Sequence, residues 1–336
     1  MFESLEQLKK NRRAMLRRRF LATGLAGVAC YFGWRWWRFR PIPIPQRNRS
    51  FITPNEEFYK ISIKPGFRPD IDLDHWRLNI EGASGSSIHL SYEDLLGLES
   101  HRLTRTLMCV GNPIGGDGIG NALWTGTPLA PLLEKVCNQR REGLKTVFRA
   151  MDGFYSSVPL ETAMDPETYL VYEMNGEPLP VAHGFPVRVL LQGKYGMKQP
   201  RWLQSIEITS DWVTGYWENW GWSNDCEINM TAQVDSALKI SEAEWSLSGI
   251  AFCGREAVGQ IEVSCDDGSS WDQAVWMEQA RPGVWCPWEF EWQPAAPGQY
   301  VLSARVVDAR GVRQEESYSG SYPSGSTGLH RVVVQV

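Results

Sequence analysis

Apolar and polar positions divide the chain into three stretches with different patterns. A continuous apolar block runs from Phe20 to Trp34 and lacks the polar stripe of an amphipathic surface helix. The next stretch mixes helical and strand-like spacing, and the last stretch shows strand-like alternation alone. The pattern therefore predicts three parts: a head and spacer over residues 1–49, an α+β domain over 50–226 and an all-β domain over 227–336.

The middle stretch contains signals for both helices and strands. One segment, SYEDLLGL, opens with a serine that can cap a helix, and another, PLAPLLEKV, opens with a proline suited to a helix start. PVRVLLQG and WLQSIEITS are rich in aliphatic and β-branched residues and predict strands. In chain order, these four segments are residues 91–98, 128–136, 186–193 and 202–210.

Apolar alternation with regular turn signals characterises the last stretch. GQIEVSCDDGSSW (259–271) alternates up to a turn at Asp267-Gly268, and GQYVLSARVVDARG (298–311) alternates up to a turn at Asp308. The chain ends in a further strand-like run, LHRVVVQV. Because strands recur roughly every ten residues, the pattern predicts an immunoglobulin-like sandwich.

Composition indicates a globular protein whose charge is unevenly distributed. Of 336 residues, 43% are hydrophobic and 22% charged, enough for a large core, and sixteen tryptophans predict aromatic-walled clefts as well as core. The net charge is −5, yet residues 1–50 hold twelve Lys or Arg against Glu3 and Glu6. The rest of the chain is therefore strongly acidic, which argues against nucleic acid as a partner.

The basic head resembles an export signal. RRRFL (17–21) is similar to the twin-arginine motif, and the apolar block after it is short for a membrane span, which needs about 20 residues. The WRWWR cluster (34–38) leaves open whether the signal is cleaved or kept as a membrane anchor, and residues 41–49 form a spacer. We expect a protein of the periplasm or of the outer face of the cytoplasmic membrane. Because this route exports folded proteins, we also expect a cofactor.

Seven cysteines are present, and none forms a Cys-x-x-Cys pair. Spacings for zinc fingers, iron–sulfur clusters and covalent haem are therefore absent. An odd number in an exported protein leaves at least one thiol unpaired or otherwise engaged, and Cys109 is the candidate. The other cysteines are interpreted as small buried apolar residues, with a Cys253–Cys265 disulfide as an open alternative.

Cys109 lies in TLMCVGNPIGGDGIGNALWTG (106–126), between apolar residues and a glycine-rich loop. No histidine is obviously placed as a base for a nucleophilic cysteine, and the glycine spacing fits neither a dinucleotide fingerprint nor a P-loop. Asn112 and the main-chain N–H groups of GGDGIG are able to approach an anion closely. A soft thiolate beside such a loop suits a soft transition metal carried by an anionic cofactor, with Asn112 among its contacts.

A second block, NGEPLPVAHGFPVRVLLQGKYGMKQPRWL (175–203), concentrates cationic and donor side chains between apolar strands. These side chains are His183, Arg188, Lys198 and Arg201. Such a set on a rigid frame suits recognition of a phosphate and of a polar heterocycle. The second block therefore supports the same kind of cofactor as the first.

Taken in order along residues 50–336, these motifs resemble the sulfite oxidase family of molybdopterin enzymes. TLMCVGN is similar to that family's metal-ligand segment, LWTGTPL to its Trp-x-Gly-x-Pro-Leu, and YEMNGEPLPVAHGFPVR with YGMKQPRWL to its cofactor signature. The resemblance implies a molybdopterin-binding domain followed by an immunoglobulin-like dimerisation domain. It also implies that Cys109 ligates molybdenum and that five residues contact the pyranopterin and its phosphate: Asp152, His183, Arg188, Lys198 and Arg201.

The sequence departs from that family near the expected substrate. In the first motif, Asn112-Pro113-Ile114 stands where animal and plant enzymes have Asn-Arg-Arg. In the second, FYKISI (58–63) stands where the family has Phe-Tyr-x-Arg-Asn-His, so the arginine and the histidine are missing and Lys60 is the nearest cation. Trp222 stands near the position of the family's tyrosine by the metal, with Tyr216 as a substitute. A pocket with few arginines holds a small dianion poorly, so sulfite is not the obvious substrate.

The resulting hypothesis is a molybdenum-dependent oxidoreductase that transfers an oxygen atom to or from a sulfur or nitrogen centre of a small molecule. Two directions stay open: oxidation of sulfite, and reduction of an S-oxide such as methionine sulfoxide. We expect a c-type cytochrome or a membrane quinone as electron partner, and a homodimer formed through residues 228–336. The alternatives are a non-catalytic exported binding protein and a thiol enzyme with Cys109 as nucleophile.

Overall fold

Strands dominate the fold, and the helices are few and short. The computed structural model describes residues 42–137 and 141–336. The export signal and the apolar block predicted near the N-terminus lie outside the described residues. Within the described ranges, no helix has the length and apolarity needed to cross a bilayer. Residues 43–336 form one compact unit.

The two helices predicted from the sequence are confirmed. Helix α1 (Tyr92–Leu96) begins with a capping box, in which Ser91 Oγ accepts the Asp94 N–H at 3.0 Å and the Asp94 carboxylate accepts the Ser91 N–H at 2.9 Å. Helix α2 (Ala130–Val136) has a proline in its first turn, where the missing N–H costs no hydrogen bond. The remaining helical elements are α3 (Leu160–Ala163) and 3-10 turns at Val181–His183, Gly196–Lys198 and Glu218–Trp220.

Two sheets form the first part of the described chain, after the two-residue strand β1 (Ile42–Pro43). Their strands are β2 (Leu78–Glu81), β3 (Ser87–Leu90), β4 (His101–Met108), β5 (Ile119–Pro128), β6 (Lys145–Ala150), β7 (Tyr155–Pro159), β8 (Tyr169–Met174), β9 (Glu177–Pro178), β10 (Arg188–Leu190) and β11 (Leu203–Thr209). One sheet has the order β3, β2, β11, β6, β7, and the other has the order β10, β8, β5, β4, with β9 beside β8. Strands β10 and β11 confirm two strands predicted from the sequence.

Two further sheets form the last part of the chain. Their strands are β12 (Thr231–Lys239), β13 (Trp245–Phe252), β14 (Val258–Ser264), β15 (Asp272–Gln273), β16 (Val275–Trp276), β17 (Cys286–Trp292), β18 (Gln299–Asp308) and β19 (His330–Gln335). One sheet runs β12, β13, β17, β16, and the other contains β19, β18, β14 and β15 in that order. Val234 and Trp288 of the first sheet share a buried cluster with Ile261 and Leu302 of the second. The three strands predicted here are confirmed, whereas the domain boundary at 226/227 and the immunoglobulin-like topology stay predictions.

The disulfide considered from the sequence is not formed. Cys253 and Cys265 are both free thiols. Cys253 precedes β14 and Cys265 follows it, so a seven-residue strand separates them. A strand of that length spans roughly 20 Å, far more than the distance of about 7 Å within which two Cα atoms can be bridged. Burial instead raises the pKa of the Cys265 thiol to about 12.

Candidate functional site

A cavity of about 600 Å³ lies among the segments that the sequence motifs occupy. Its wall includes six of the nine predicted site residues, namely Cys109, Asn112, Asp152, Arg188, Arg201 and Trp222. The other three, His183, Lys198 and Tyr216, are not part of the wall. The remaining wall residues are Phe58, Tyr59, 61–63, Leu107, Val110, Gly111, Pro113, 116–118, Phe154, Gly196, Met197, Gln199, Pro200, Trp202 and Trp217.

Cys109 is the first residue of the loop that joins β4 to β5. Its N–H donates to Gly118 O at 2.8 Å, which closes the loop at its base. The thiol is half-buried, and burial raises its pKa, although the N–H groups of Gly111 and Asn112 act in the opposite direction. The sulfur is therefore a free thiol in the cavity wall, and burial outweighs the main-chain N–H groups in setting its pKa.

The glycines of this loop have a different role from the one predicted. Gly118 N–H donates to Asn112 Oδ1 at 2.8 Å, and Gly116 N–H donates to Pro113 O at 3.0 Å, so both donors are used within the loop. A Cβ at Gly118 would lie 2.9 Å from Asn112 Oδ1, and a Cβ at Gly115 would overlap the ring of His330. These glycines therefore make room for protein side chains rather than for an anion.

Arg188 and Arg201 bring positive charge to the cavity without a counter-ion. Arg188 donates to the carbonyls of His183 at 3.2 Å and Gln199 at 3.4 Å, and its Nε has no partner among the described residues. Arg201 donates to the carbonyls of Ala182 at 2.6 Å and Ile61 at 2.7 Å.

No ion pair joins either guanidinium to a carboxylate in the described part of the chain. Burial, helped by the charge of Arg201, lowers the pKa of Arg188 to about 9. Asp152 is buried in the same wall, accepts the Phe154 N–H at 2.9 Å and favours the charged form of Arg201. The two arginines thus give this part of the wall cationic donors that suit an anionic ligand.

The three predicted residues outside the wall have other partners. His183 Nε2 donates to Asn55 O at 2.7 Å, and burial lowers the pKa of this histidine to about 4, so the ring is neutral. Lys198 is buried, donates to Ser157 O at 2.9 Å and forms an ion pair with the buried carboxylate of Glu218. Tyr216 packs against three aromatic rings, those of Phe154, Tyr155 and Trp217.

Sequence reasoning missed Tyr59 and Trp217, both of which line the cavity. Tyr59 lies in the same wall as Cys109, Arg188 and Arg201, and burial raises the pKa of its phenol. The segment FYKISI was compared with the family motif only for the cations that it lacks, so its tyrosine, Tyr59, was not considered. The high tryptophan content did predict aromatic-walled clefts, and Trp202, Trp217 and Trp222 line this cavity.

The donor set fits a metal that arrives with its own ligands. No group of three or more His, Cys, Asp or Glu side chains is placed to hold a metal ion in the described ranges. The cavity offers one thiol, one buried and one half-buried guanidinium group and a volume large enough for a sizeable anion. A pterin that carries both sulfur ligands and a phosphate matches this combination.

Comparison with known proteins identifies relatives of the chain. Residues 66–217 match the family model for the oxidoreductase molybdopterin binding domain. Mitochondrial sulfite oxidase of Macaca fascicularis is 32% identical over 323 residues, which cover 80% of this chain and 58% of the relative. That of Rattus norvegicus is 30% identical over 353 residues, which cover 89% of this chain and 64% of the relative. The chain thus spans 58% and 64% of the length of these two relatives.

A solved structure supports the fold. The crystal structure of the sulfane dehydrogenase SoxCD from Paracoccus pantotrophus matches with a TM-score of 0.75 and 19% identity. The match covers 89% of this chain and 88% of that chain. It therefore includes both the region of the cavity and the strand-rich last part of the chain.

Proposed function

Since the chain belongs to the sulfite oxidase family of molybdopterin-dependent oxidoreductases, we propose that it is a molybdenum-dependent enzyme acting at a sulfur centre of a small molecule. The family implies a molybdenum–molybdopterin cofactor, and the residues of the cavity fit one. When bound, this cofactor supplies two-electron redox chemistry and oxygen-atom transfer.

One observation carries the proposal: a thiol, the buried guanidinium of Arg188 and the half-buried guanidinium of Arg201 face the same cavity, and neither guanidinium forms an ion pair in the described part of the chain. Cys109 would hold the metal through its sulfur, and Arg188 and Arg201 would hold the anionic groups of the pterin. Asp152 favours the charged form of Arg201, and the carbonyl groups that bind both arginines fix their orientation. The protein's part in the chemistry is thus to bind and orient the cofactor and to exclude water from it.

Metal content tests this proposal directly. The full chain, produced in a host that synthesises the cofactor, is expected to contain about one molybdenum per chain and to release a fluorescent pterin on denaturation. Because the pterin also supplies sulfur ligands, the Cys109→Ser variant is expected to keep part of its molybdenum but to lose the thiolate-to-metal absorption of wild type, and Cys265→Ser, which alters a thiol outside the cavity, is the matched control. A Cys109→Ser variant with the wild-type absorption spectrum would refute the assigned ligand.

The same measurement separates the alternatives. A non-catalytic binding protein or a thiol enzyme predicts wild-type protein without molybdenum and without pterin. A thiol enzyme would in addition be inactivated by alkylation of Cys109 in metal-free protein. A molybdenum-loaded chain contradicts both alternatives at once.

The wall of the cavity favours an organic sulfur substrate over sulfite. Ile61, Ile63, Met197, Trp217 and Trp222 contribute apolar surface. Neither Asn112-Pro113-Ile114 nor FYKISI supplies an arginine for a small dianion. We therefore propose S-oxide reduction, for example of methionine sulfoxide, as the second candidate activity beside sulfite oxidation. Assays of sulfite with cytochrome c, and of methionine sulfoxide with reduced viologen, run on one preparation, decide the direction.

Several parts of the hypothesis stand as proposals on the sequence alone. These are export by a twin-arginine signal to the periplasm or the outer face of the cytoplasmic membrane, with or without an N-terminal anchor, and electron exchange with a c-type cytochrome or a quinone. A homodimer through an immunoglobulin-like domain at 227–336 is proposed in the same way. Cell fractionation and light scattering of the purified chain test the location and the dimer.

A further inference from the structure

Two arginines of the segment predicted as a spacer, Arg47 and Arg49, bind both the loop between β4 and β5 and strand β12. Arg47 donates to Gly115 O at 2.9 Å and to the carboxylate of Asp117 at 3.0 Å, and Arg49 donates to the same carboxylate at 2.9 Å. Both side chains also donate to the carboxylate of Asp235 on β12, at 3.3 Å and 3.0 Å. The two arginines therefore connect this loop to the last part of the chain.

The loop between β4 and β5 is part of the cavity wall over almost its whole length. All of its residues except two line the cavity, and the first of them is Cys109. Main-chain hydrogen bonds within the loop close its base. Its tip, residues 114–117, is held by other segments, because Gly115 O accepts from Arg47 and Gly116 O accepts from Gln233 Nε2 at 3.4 Å. The shape of the wall next to the thiol thus depends on groups outside the loop.

The two carboxylates that the arginines join differ in burial. The side chain of Asp235 is 3% exposed, and that of Asp117 is 70% exposed. The side chains of Arg47 and Arg49 lie between them and are only 23% and 15% exposed. A buried charge-assisted hydrogen bond is directional, and water does not readily replace it. Asp235 therefore fixes the two guanidinium groups, and these present their remaining N–H donors to the tip of the loop.

We propose that Arg47 and Arg49 are positioning residues of the cavity, which hold the tip of the loop in the conformation that keeps Cys109 half-buried in the wall. Neither arginine lines the cavity, so both act through the loop. The inference rests on the proposed function, because that function gives the Cys109 thiol its role. It also means that residues 47–49 belong to the working part of the protein and not to a mere spacer.

Alkylation of the thiol tests the proposal in metal-free full chain. The double variant Arg47→Gln, Arg49→Gln is expected to react with iodoacetamide at Cys109 about tenfold faster than wild type, because a released loop exposes the thiol. Mass spectrometry of the peptides measures the rate at each cysteine. Cys265, a half-buried thiol outside the cavity, is the internal reference and should change less than twofold.

Two further variants complete the test. Asp117→Asn removes the partner of the arginines on the loop and alters an exposed side chain, so it folds even if the double variant does not; alkylation of Cys109 should be about threefold faster. Arg310→Gln also takes an arginine from a buried aspartate, Asp308, but outside the cavity, and should leave that rate unchanged. The proposal is overturned if Cys109 stays within twofold of wild type in the double variant and in Asp117→Asn. It is equally overturned if Cys109 and Cys265 become faster by the same factor, because the whole fold has then loosened.

Failure of this inference is distinguishable from failure of the proposed function. A chain that takes up no molybdenum still yields the alkylation rates, which do not depend on the cofactor. In molybdenum-loaded full chain, the double variant is expected to release the pterin about tenfold faster than wild type or Arg310→Gln, as followed by fluorescence. A loaded chain in which the double variant matches wild type in both pterin release and alkylation would remove the role of the two arginines and leave the proposed function intact.

Discussion

Two buried arginines on strands of one sheet differ in what surrounds their charge. Arg105 lies on β4 and is 4% exposed, and its Nη2 is 2.6 Å from the carboxylate of Glu167. Arg188 lies on β10, at the other end of the sheet, and is 5% exposed, yet it donates only to carbonyl groups and otherwise lies over the ring of Trp124. Because burial of an unpaired charge is costly, the first arginine serves the fold, and the second is suited to a ligand.

The same contrast sorts the other cations that the sequence singled out. Lys198 resembles Arg105, because its charge is matched by the buried carboxylate of Glu218. Arg201 resembles Arg188, because its guanidinium donates to carbonyls and lines the cavity. Of the three predicted cofactor-binding Lys and Arg residues, two are therefore available to a ligand, and the third supports the wall that carries Trp217.

The largest effect is expected where a buried pair is broken. Glu218→Gln leaves the Lys198 ammonium buried without a counter-ion, so the free energy of unfolding should fall by about 3 to 5 kcal/mol. Urea unfolding followed by tryptophan fluorescence measures this loss. The double variant Lys198→Met, Glu218→Leu removes both charges and should recover most of the lost free energy of unfolding. A Glu218→Gln protein that is as stable as wild type would show that the pair does not form in solution.

A smaller effect, and of a different kind, is expected at Arg188. Arg188→Gln removes an unpaired charge, so the stability should be unchanged or higher, while retention of the pterin should weaken by about 2 kcal/mol, or roughly thirtyfold. Pterin release is measured by fluorescence and stability by urea unfolding. Arg105→Gln is the matched control, because it should lose stability and keep the cofactor. If both variants lose stability, or both lose the pterin, the two arginines do not differ in role.

Local patterns in the sequence were sufficient for five of the nineteen strands of the described chain and for two helices. The gathering of Cys109, Asp152, Arg188 and Arg201 followed from motif order and from the resemblance to a known family. The sequence was insufficient where a distant partner decides the role of a residue. Glu218 lies in the aromatic stretch WENWGW, where no local pattern marks it as the buried partner of Lys198.

Other misreadings have the same origin. Gly115 was interpreted as a residue that admits a ligand, but His330, far along the chain, occupies the space beside it. Tyr59 was missed because its segment was compared with a family motif rather than examined for its own chemistry. In each case the fold brings together residues whose separation in sequence leaves no periodic or compositional signal.

Histidine protonation provides the next test, of the region around the glycine loop. Burial, together with the charges of Arg47 and Arg49, lowers the pKa of His330 from 6.5 to about 4. Between these two pH values the unfolded state therefore binds more protons than the folded state. The contribution of His330 to the free energy of unfolding is complete above about pH 6.5 and is lost as the pH falls toward 4. We expect a loss of about 3 kcal/mol from His330. Urea unfolding across this range should show a shallower pH dependence for His330→Gln, and equal slopes would contradict the assignment.

The smallest effect separates pairing from burial. Arg47 and Arg49 each pair with two aspartates, and the side chain of Asp117 is 70% exposed whereas that of Asp235 is 3% exposed. Asp117→Asn should therefore lower the free energy of unfolding by less than about 1 kcal/mol, because exposed ion pairs are screened by water and salt. Asp235→Asn should lower it by about 2 kcal/mol or more, because Arg47 and Arg49 lose their buried partner. Urea unfolding at low and high salt measures both. If Asp117→Asn and Asp235→Asn lose the same free energy of unfolding, burial of the carboxylate has no effect. Pairing with a carboxylate would then be the one feature that distinguishes the structural cations of this protein from the arginines that face the cavity.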